Sequence, residues 1–145
     1  MQNPAETRLN QSGIASQGKL KVLIADDIQE TRQSLLAMLS MNPNVVVVAT
    51  ARDGGQAVLL AKQYHPDIVI MDINMPVMNG LAAYKEISRI HPDIGCIIIT
   101  AQKDIAPLGV AMTLGAQEYM VKPFTLDELN EAVDRVGMGY VPGPR

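Results

Sequence analysis

Apolar residues along this chain gather into five short runs rich in Val and Ile: Lys21–Ala25, Val45–Thr50, Ile68–Met71, Ile94–Thr100 and Glu118–Val121. Runs of this length without polar alternation predict strands buried on both faces, as in a parallel sheet. Helix-length segments separate them. The first sets Ile28, Leu35 and Leu39 on one side, and the last does the same with Leu126, Leu129, Val133 and Val136. Thr125, followed three residues later by Glu128, has the form of a capping box opening that last helix. Asp53-Gly54-Gly55 and Asn79-Gly80 are turn signals ahead of the second and third helices. Strand and helix in regular alternation predict an α/β fold, a doubly wound parallel sheet with helices on both faces.

The length of 145 residues fits one domain with a real core. Hydrophobic residues make up 48% and charged residues 19%, ordinary proportions for a cytosolic globular protein. A net charge of −3, with the 12 basic residues scattered, argues against a nucleic-acid surface. No apolar stretch approaches the ~20 residues that span a bilayer. The polar start, MQNPAETRLNQSGIASQGK, lacks the apolar core of a signal peptide, so a cytoplasmic location is expected. Residues 1–18 read as a flexible tail and 19–137 as the domain. The ending, GMGYVPGPR, reads from 138 to 145 as a linker or cut end, because Gly and Pro stop helices. Cys96 is the single cysteine, which excludes an internal disulfide and a Cys-based zinc site. Its apolar setting predicts a buried structural thiol.

The chemistry lies where the runs end. Asp26 and Asp27 follow the first, Asp72 the third and Lys122 the fifth, while Thr100 closes the fourth. Ligand sites in open α/β sheets form beyond the carboxyl ends of the strands, so these five side chains are expected to converge. Mg²⁺ takes oxygen ligands and keeps several waters, which suits such a set. Three carboxylates together are costly unless a cation neutralises them. Lys122 can offset part of that repulsion and can pair with a phosphoryl oxygen. A carboxylate can also attack phosphorus, and phosphoryl transfer then needs positioning and charge neutralisation above all. Plainer readings exist: Asp26 and Asp27 could cap the first helix. Lys122 could be a solvated surface residue, Thr100 a β-favouring one, and Tyr119 a half-buried packing residue. His65 and His91, each before a proline, read as structural helix-end residues.

Four motifs in order, IADD at 24–27, MDINMPVMNG at 71–80, IIITA at 97–101 and YMVKPF at 119–124, resemble the receiver domain of bacterial two-component response regulators, of the chemotaxis-regulator kind. The resemblance covers residues 19–137. It implies a flavodoxin-like five-stranded sheet in order 2-1-3-4-5, flanked by five helices. It implies Asp72 as phosphoacceptor, Asp27 as direct metal ligand and Asp26 as a ligand through water. Asp72 and the Asn74 backbone carbonyl complete the ligands for Mg²⁺, with Mn²⁺ as a substitute. Thr100 would be the switch hydroxyl, Tyr119 the aromatic that turns inward behind it, and Lys122 the phosphate partner, next to a cis Lys122-Pro123 peptide. The implied partners are a sensor histidine kinase or phosphotransfer protein, and a downstream output domain or protein. The output surface would be the face of the fourth helix and fifth strand. A signalling switch of this kind is not a turnover enzyme, binds no nucleic acid through this segment and needs no membrane.

Some positions depart from the pattern. The segment AQKDIAPLGVAMTLGA holds Pro107 and Gly109, so the fourth helix is expected to start late and be loosely held. Asn74 and Gln102, expected near the phosphoryl group, are neutral amides and poor general bases. The acidic pair that one dimerising class carries before the switch aromatic is here Gln117-Glu118, which argues against that mode of assembly. The phrase DDIQETR resembles receivers joined to pilus-assembly ATPases of the ParA/MinD type. A haloacid-dehalogenase-like phosphatase would need an acid two residues after Asp72, and Asn74 cannot supply the proton. A phosphate-independent interaction module would keep the fold without the reaction. Neither a GxxxxGK nor a GxGxxG loop is present for nucleotide.

Overall fold

The computed structural model describes residues 18–101 and 106–138. The elements alternate: β1 (Leu20–Ala25), α1 (Gln29–Ser40), β2 (Val45–Ala51), α2 (Gly54–Tyr64), β3 (Ile68–Asp72), α3 (Gly80–Ile90), β4 (Gly95–Ala101), α4 (Ala106–Thr113), β5 (Glu118–Lys122) and α5 (Leu126–Gly137). All strand pairs are parallel, in the order β2-β1-β3-β4-β5. The chain therefore winds outward in both directions from β1 and β3, which makes a switch point between them. The expected tail up to residue 17 and the expected linker from residue 139 lie outside the described residues.

Alternate side chains of each strand feed two cores. Leu23, Val69, Met71 and Ile98 meet Ala57, Ala83, Ile87 and Ala111 on the side of α2, α3 and α4. Val22, Ile24, Ile70, Ile97 and Ile99 meet Leu35, Leu39, Leu129 and Val133 on the side of α1 and α5. Every residue of β3 is buried, which explains its unbroken apolar sequence up to Asp72. Three helices start as their turn chemistry dictates. The Asp53 side chain accepts the Gln56 N–H, Asn79 accepts that of Ala82, and Thr125 with Glu128 forms the full capping box. The first helix does not follow its expected pattern. Ile28 is its N-cap, in an extended conformation (φ −97°, ψ 118°), and is 46% exposed rather than on the buried face with Leu35 and Leu39. A residue ahead of the first turn does not share the angular repeat of the residues within it.

The fourth helix spans eight residues, with Pro107 at its second position, where the missing N–H has no intrahelical acceptor to lose. Ala111 is its one fully buried side chain among those described, and Val110 is 51% exposed. So few buried contacts mark a low-stability element. The amides of Gly109–Thr113 are expected to exchange with deuterated solvent well before those of Val69–Met71. Equal protection in a hydrogen-exchange measurement would refute a loosely held α4.

Candidate functional site

The carboxyl ends of β1 and β3 deliver the acidic groups. Asp26 follows β1 directly, and its N–H still donates to the Ala51 carbonyl of β2 (3.0 Å). The residue is fully buried. Its Oδ1 accepts the Ile28 N–H at 2.9 Å, and its carbonyl accepts Arg32 Nη1 at 2.7 Å. Asp27, one residue on, is exposed. Asp72 ends β3 opposite Ile99 of β4 and is 5% exposed. Its Oδ1 accepts the Asn74 N–H at 3.2 Å. Ligating atoms of Asp26, Asp27 and Asp72 lie within 4.8 Å of one another, the one such cluster among the described residues.

Lys122 closes β5, two strands from β3 and three from β1, yet its Nζ lies 3.2 Å from Asp26 Oδ2 and 3.2 Å from Asp72 Oδ2. Only a long side chain crosses that span. The Lys122-Pro123 peptide that follows is cis. Burial pushes the Asp72 carboxyl up most strongly; Lys122 pulls it down and Asp26 pushes it up again, leaving it above the ordinary 3.8. For Lys122, burial works against the ammonium, but Asp72 and then Asp26 outweigh it and hold the group above 10.5. Crowded carboxylates relieved by one ammonium make a site whose charge is still negative. Its all-oxygen donor set, with one exposed member and two buried ones, fits a hard divalent cation that keeps waters.

Of the other expected site residues, Thr100 lies on β4, Tyr119 on β5 and Asn74 just after β3. Thr100 is fully buried in β4, and its hydroxyl donates to the Ala101 carbonyl at 3.1 Å. Tyr119 lies on β5 and is 49% exposed. Asn74 is exposed beside Asp72, while Gln102 lies outside the described residues. His65 and His91 cap the C-termini of α2 and α3, with rings in edge-to-face contact (centroids 4.5 Å apart, 83°), a structural pairing apart from the carboxylates.

Two supports were not anticipated from the sequence. Arg32 grips the Asp26 carbonyl one turn into α1, a contact with no motif of its own. Gly80, read simply as a turn glycine, lies against the Asp72 carbonyl, where any Cβ would collide with the backbone oxygen. Gly54 is packed in the same way against the Met78 carbonyl. Consecutive turn signals ahead of two helices were the only sequence trace of these close approaches.

The family model for the response regulator receiver domain matches residues 22–134. Among curated proteins, the transcriptional regulatory protein DegU of Brevibacillus brevis is 35% identical over 124 residues, 86% of this chain and 52% of that protein. The chain thus spans about half the length of that relative. Among solved structures, the REC domain of AraT from Geobacillus stearothermophilus aligns with a TM-score of 0.78 at 33% identity, covering 83% of this chain and 94% of that one. A chain of the CheX–CheY–BeF3–Mg²⁺ complex from Borrelia burgdorferi aligns with a TM-score of 0.78 at 27% identity, covering 84% and 92%. None of these three is a pilus-assembly ATPase. With matching motifs, sheet order and family model, the chain belongs to the response regulator receiver domains of two-component systems, a family typified by phosphorylation and Mg²⁺.

Proposed function

We propose that Asp72 accepts a phosphoryl group from the phosphohistidine of a sensor kinase or phosphotransfer protein, and that the change is read at the surface formed by α4 and β5. The observation that carries this reading is the Lys122 ammonium set 3.2 Å from both Asp26 and Asp72. An Asp72 oxygen forms the new P–O bond as the P–N bond breaks, and the imidazole nitrogen keeps the electron pair and takes a proton from solvent. Lys122 neutralises charge on the transferred group, and the Asn74 N–H fixes the carboxylate that accepts it. Mg²⁺, or Mn²⁺ in its place, would be held by Asp26, Asp27, Asp72 and the Asn74 carbonyl, and supplies further neutralisation and orientation. The Thr100 hydroxyl exchanges its bond to the Ala101 carbonyl for one to the phosphoryl oxygens. Tyr119 then turns inward, and the α4–β5 surface changes shape. Phosphorylation here is a local electrostatic event that biases a two-state element.

The switch unit in this reading is residues 19–137, acting on an attached output domain or a separate partner through 138–145 or the α4–β5 surface. It signals rather than turns over substrate, and it works in the cytoplasm. No described helix is long and apolar enough to cross a membrane. That a similar chain was solved in a complex holding BeF3 and Mg²⁺ supports the site assignment. Incubating the protein with acetyl phosphate and Mg²⁺ is expected to give a mono-phosphoryl adduct by intact mass. The adduct should disappear in Asp72→Ala and under a chelator. An adduct that persists in Asp72→Ala would overturn the assignment.

A further inference from the structure

The ends of α2 and α3 bring together two groups that the acidic cleft does not use. His65 is the C-cap of α2 and His91 that of α3, and they are the two histidines of the chain. Their rings meet edge to face, with centroids 4.5 Å apart and planes at 83°. Each residue precedes a proline, Pro66 or Pro92, which restricts the backbone beneath its ring. His65 holds a left-handed conformation (φ 46°) and is exposed, whereas His91 is half-buried. The Nε2 atom of His91 is buried without a hydrogen-bond partner, the one side-chain nitrogen or oxygen so placed among the described residues. Such an atom has given up its hydration and received nothing in exchange.

We propose that His65 and His91 form a site for a borderline-soft divalent metal of the Zn²⁺ and Ni²⁺ kind, held by one nitrogen of each ring and completed by water. Imidazole suits those ions and is a poor match for hard Mg²⁺. The spacing agrees. A metal–nitrogen bond of about 2.0–2.1 Å sets two rings at a right angle around one ion with centroids roughly 4.5 Å apart. The two rings already stand at that separation, so they need turn in place rather than draw together. Exposed His65 is the ring free to turn, and in turning it opens a way to the lone pair of His91 Nε2. Both rings sit at helix C-termini, whose carbonyl ends favour a cation. Lys21 already answers the Tyr64 carbonyl (3.4 Å), and its own N–H is taken by Asp67 Oδ2 at 2.8 Å, which leaves the imidazole nitrogens as the donors. Ring packing alone would explain the contact but leaves Nε2 unanswered. The one cluster of three acidic, histidine or cysteine ligands among the described residues is the carboxylate one, so this site has two protein donors and stays open to water, unlike a closed structural zinc site. It is also remote from that cluster. The histidines precede β3 and β4, whereas Asp72 closes β3, roughly 13 Å further along the strand.

Zn²⁺ titrated into the full chain, with Mg²⁺ in excess to occupy the acidic cleft, should move both histidine ring signals together in the NMR spectrum and saturate at one ion per chain. His65→Asn, which a left-handed backbone tolerates, and His91→Gln should each weaken Zn²⁺ binding about tenfold or more by calorimetry. Both variants should also lose the rise in melting temperature that Zn²⁺ gives the wild type. Zn²⁺ uptake with the ring signals unmoved, or with one ring moving alone, would overturn the proposal. Wild-type affinity in either variant would do the same. Should His91→Gln fail to fold, exposed His65→Asn decides the matter, and neither outcome bears on phosphoryl acceptance by Asp72.

Discussion

Gly80→Ala is expected to lose about 3 kcal/mol or more of stability, and to lose phosphoryl acceptance in whatever fraction stays folded. Gly80 opens α3, and its N–H donates to the Ile73 carbonyl at 2.7 Å. An added methyl would run into the Asp72 carbonyl oxygen and crowd Ile73 Cα at 2.9 Å. Those are backbone atoms of the central strand, so no side chain can swing away to make room. Either α3 lifts off or the end of β3 moves, and the second outcome displaces Asp72 itself. Gly109→Ala in α4 is the contrasting case. Nothing lies within 4 Å of the added atom, and the helix should gain about 0.5–1 kcal/mol. Urea denaturation of both variants tests the pair; equal midpoints for wild type and Gly80→Ala would show that the close approach carries no cost.

Lys122→Met should destabilise the metal-free protein by about 3 kcal/mol, the cost of leaving buried carboxylates without their cation. The Lys122 side chain is 26% exposed and the Asp26 side chain 0%, so solvent compensates little of the loss. Added Mg²⁺ should restore much of it, making the melting temperature of the variant depend on metal more steeply than that of wild type. Because the ammonium titrates above 10.5, its stabilisation is complete below that pH and is lost as pH rises through the folded value. Asp72 behaves oppositely. Its carboxyl is held above 3.8, first by burial, so ionising it in the folded state costs stability at all pH above its titration. Asp72→Asn should therefore melt higher than wild type at neutral pH without metal. A lower melting temperature for that variant would contradict this charge balance.

Much of this was legible in the sequence because the parallel sheet leaves a plain signature. The five runs matched strands within one or two residues, since buried strands tolerate few polar residues. The convergence of Asp26, Asp72 and Lys122 followed from the same rule about strand ends. Ile28 was misplaced because helical spacing says where a face lies but not at which residue the helix begins. Arg32 and Gly80 were missed as supports for a different reason. Their partners are the carbonyls of Asp26 and Asp72, and backbone atoms carry no residue-specific pattern to read.

The reach of Lys122 has a consequence in the order of synthesis. Asp72 leaves the ribosome 50 residues ahead of the lysine that balances it, and Asp26 is 96 residues ahead. An emerging chain thus carries Asp26 and Asp72 without their Lys122 partner until β5 is made. The ion-paired cluster is therefore completed only with the edge strand, the last strand of the sheet to be made.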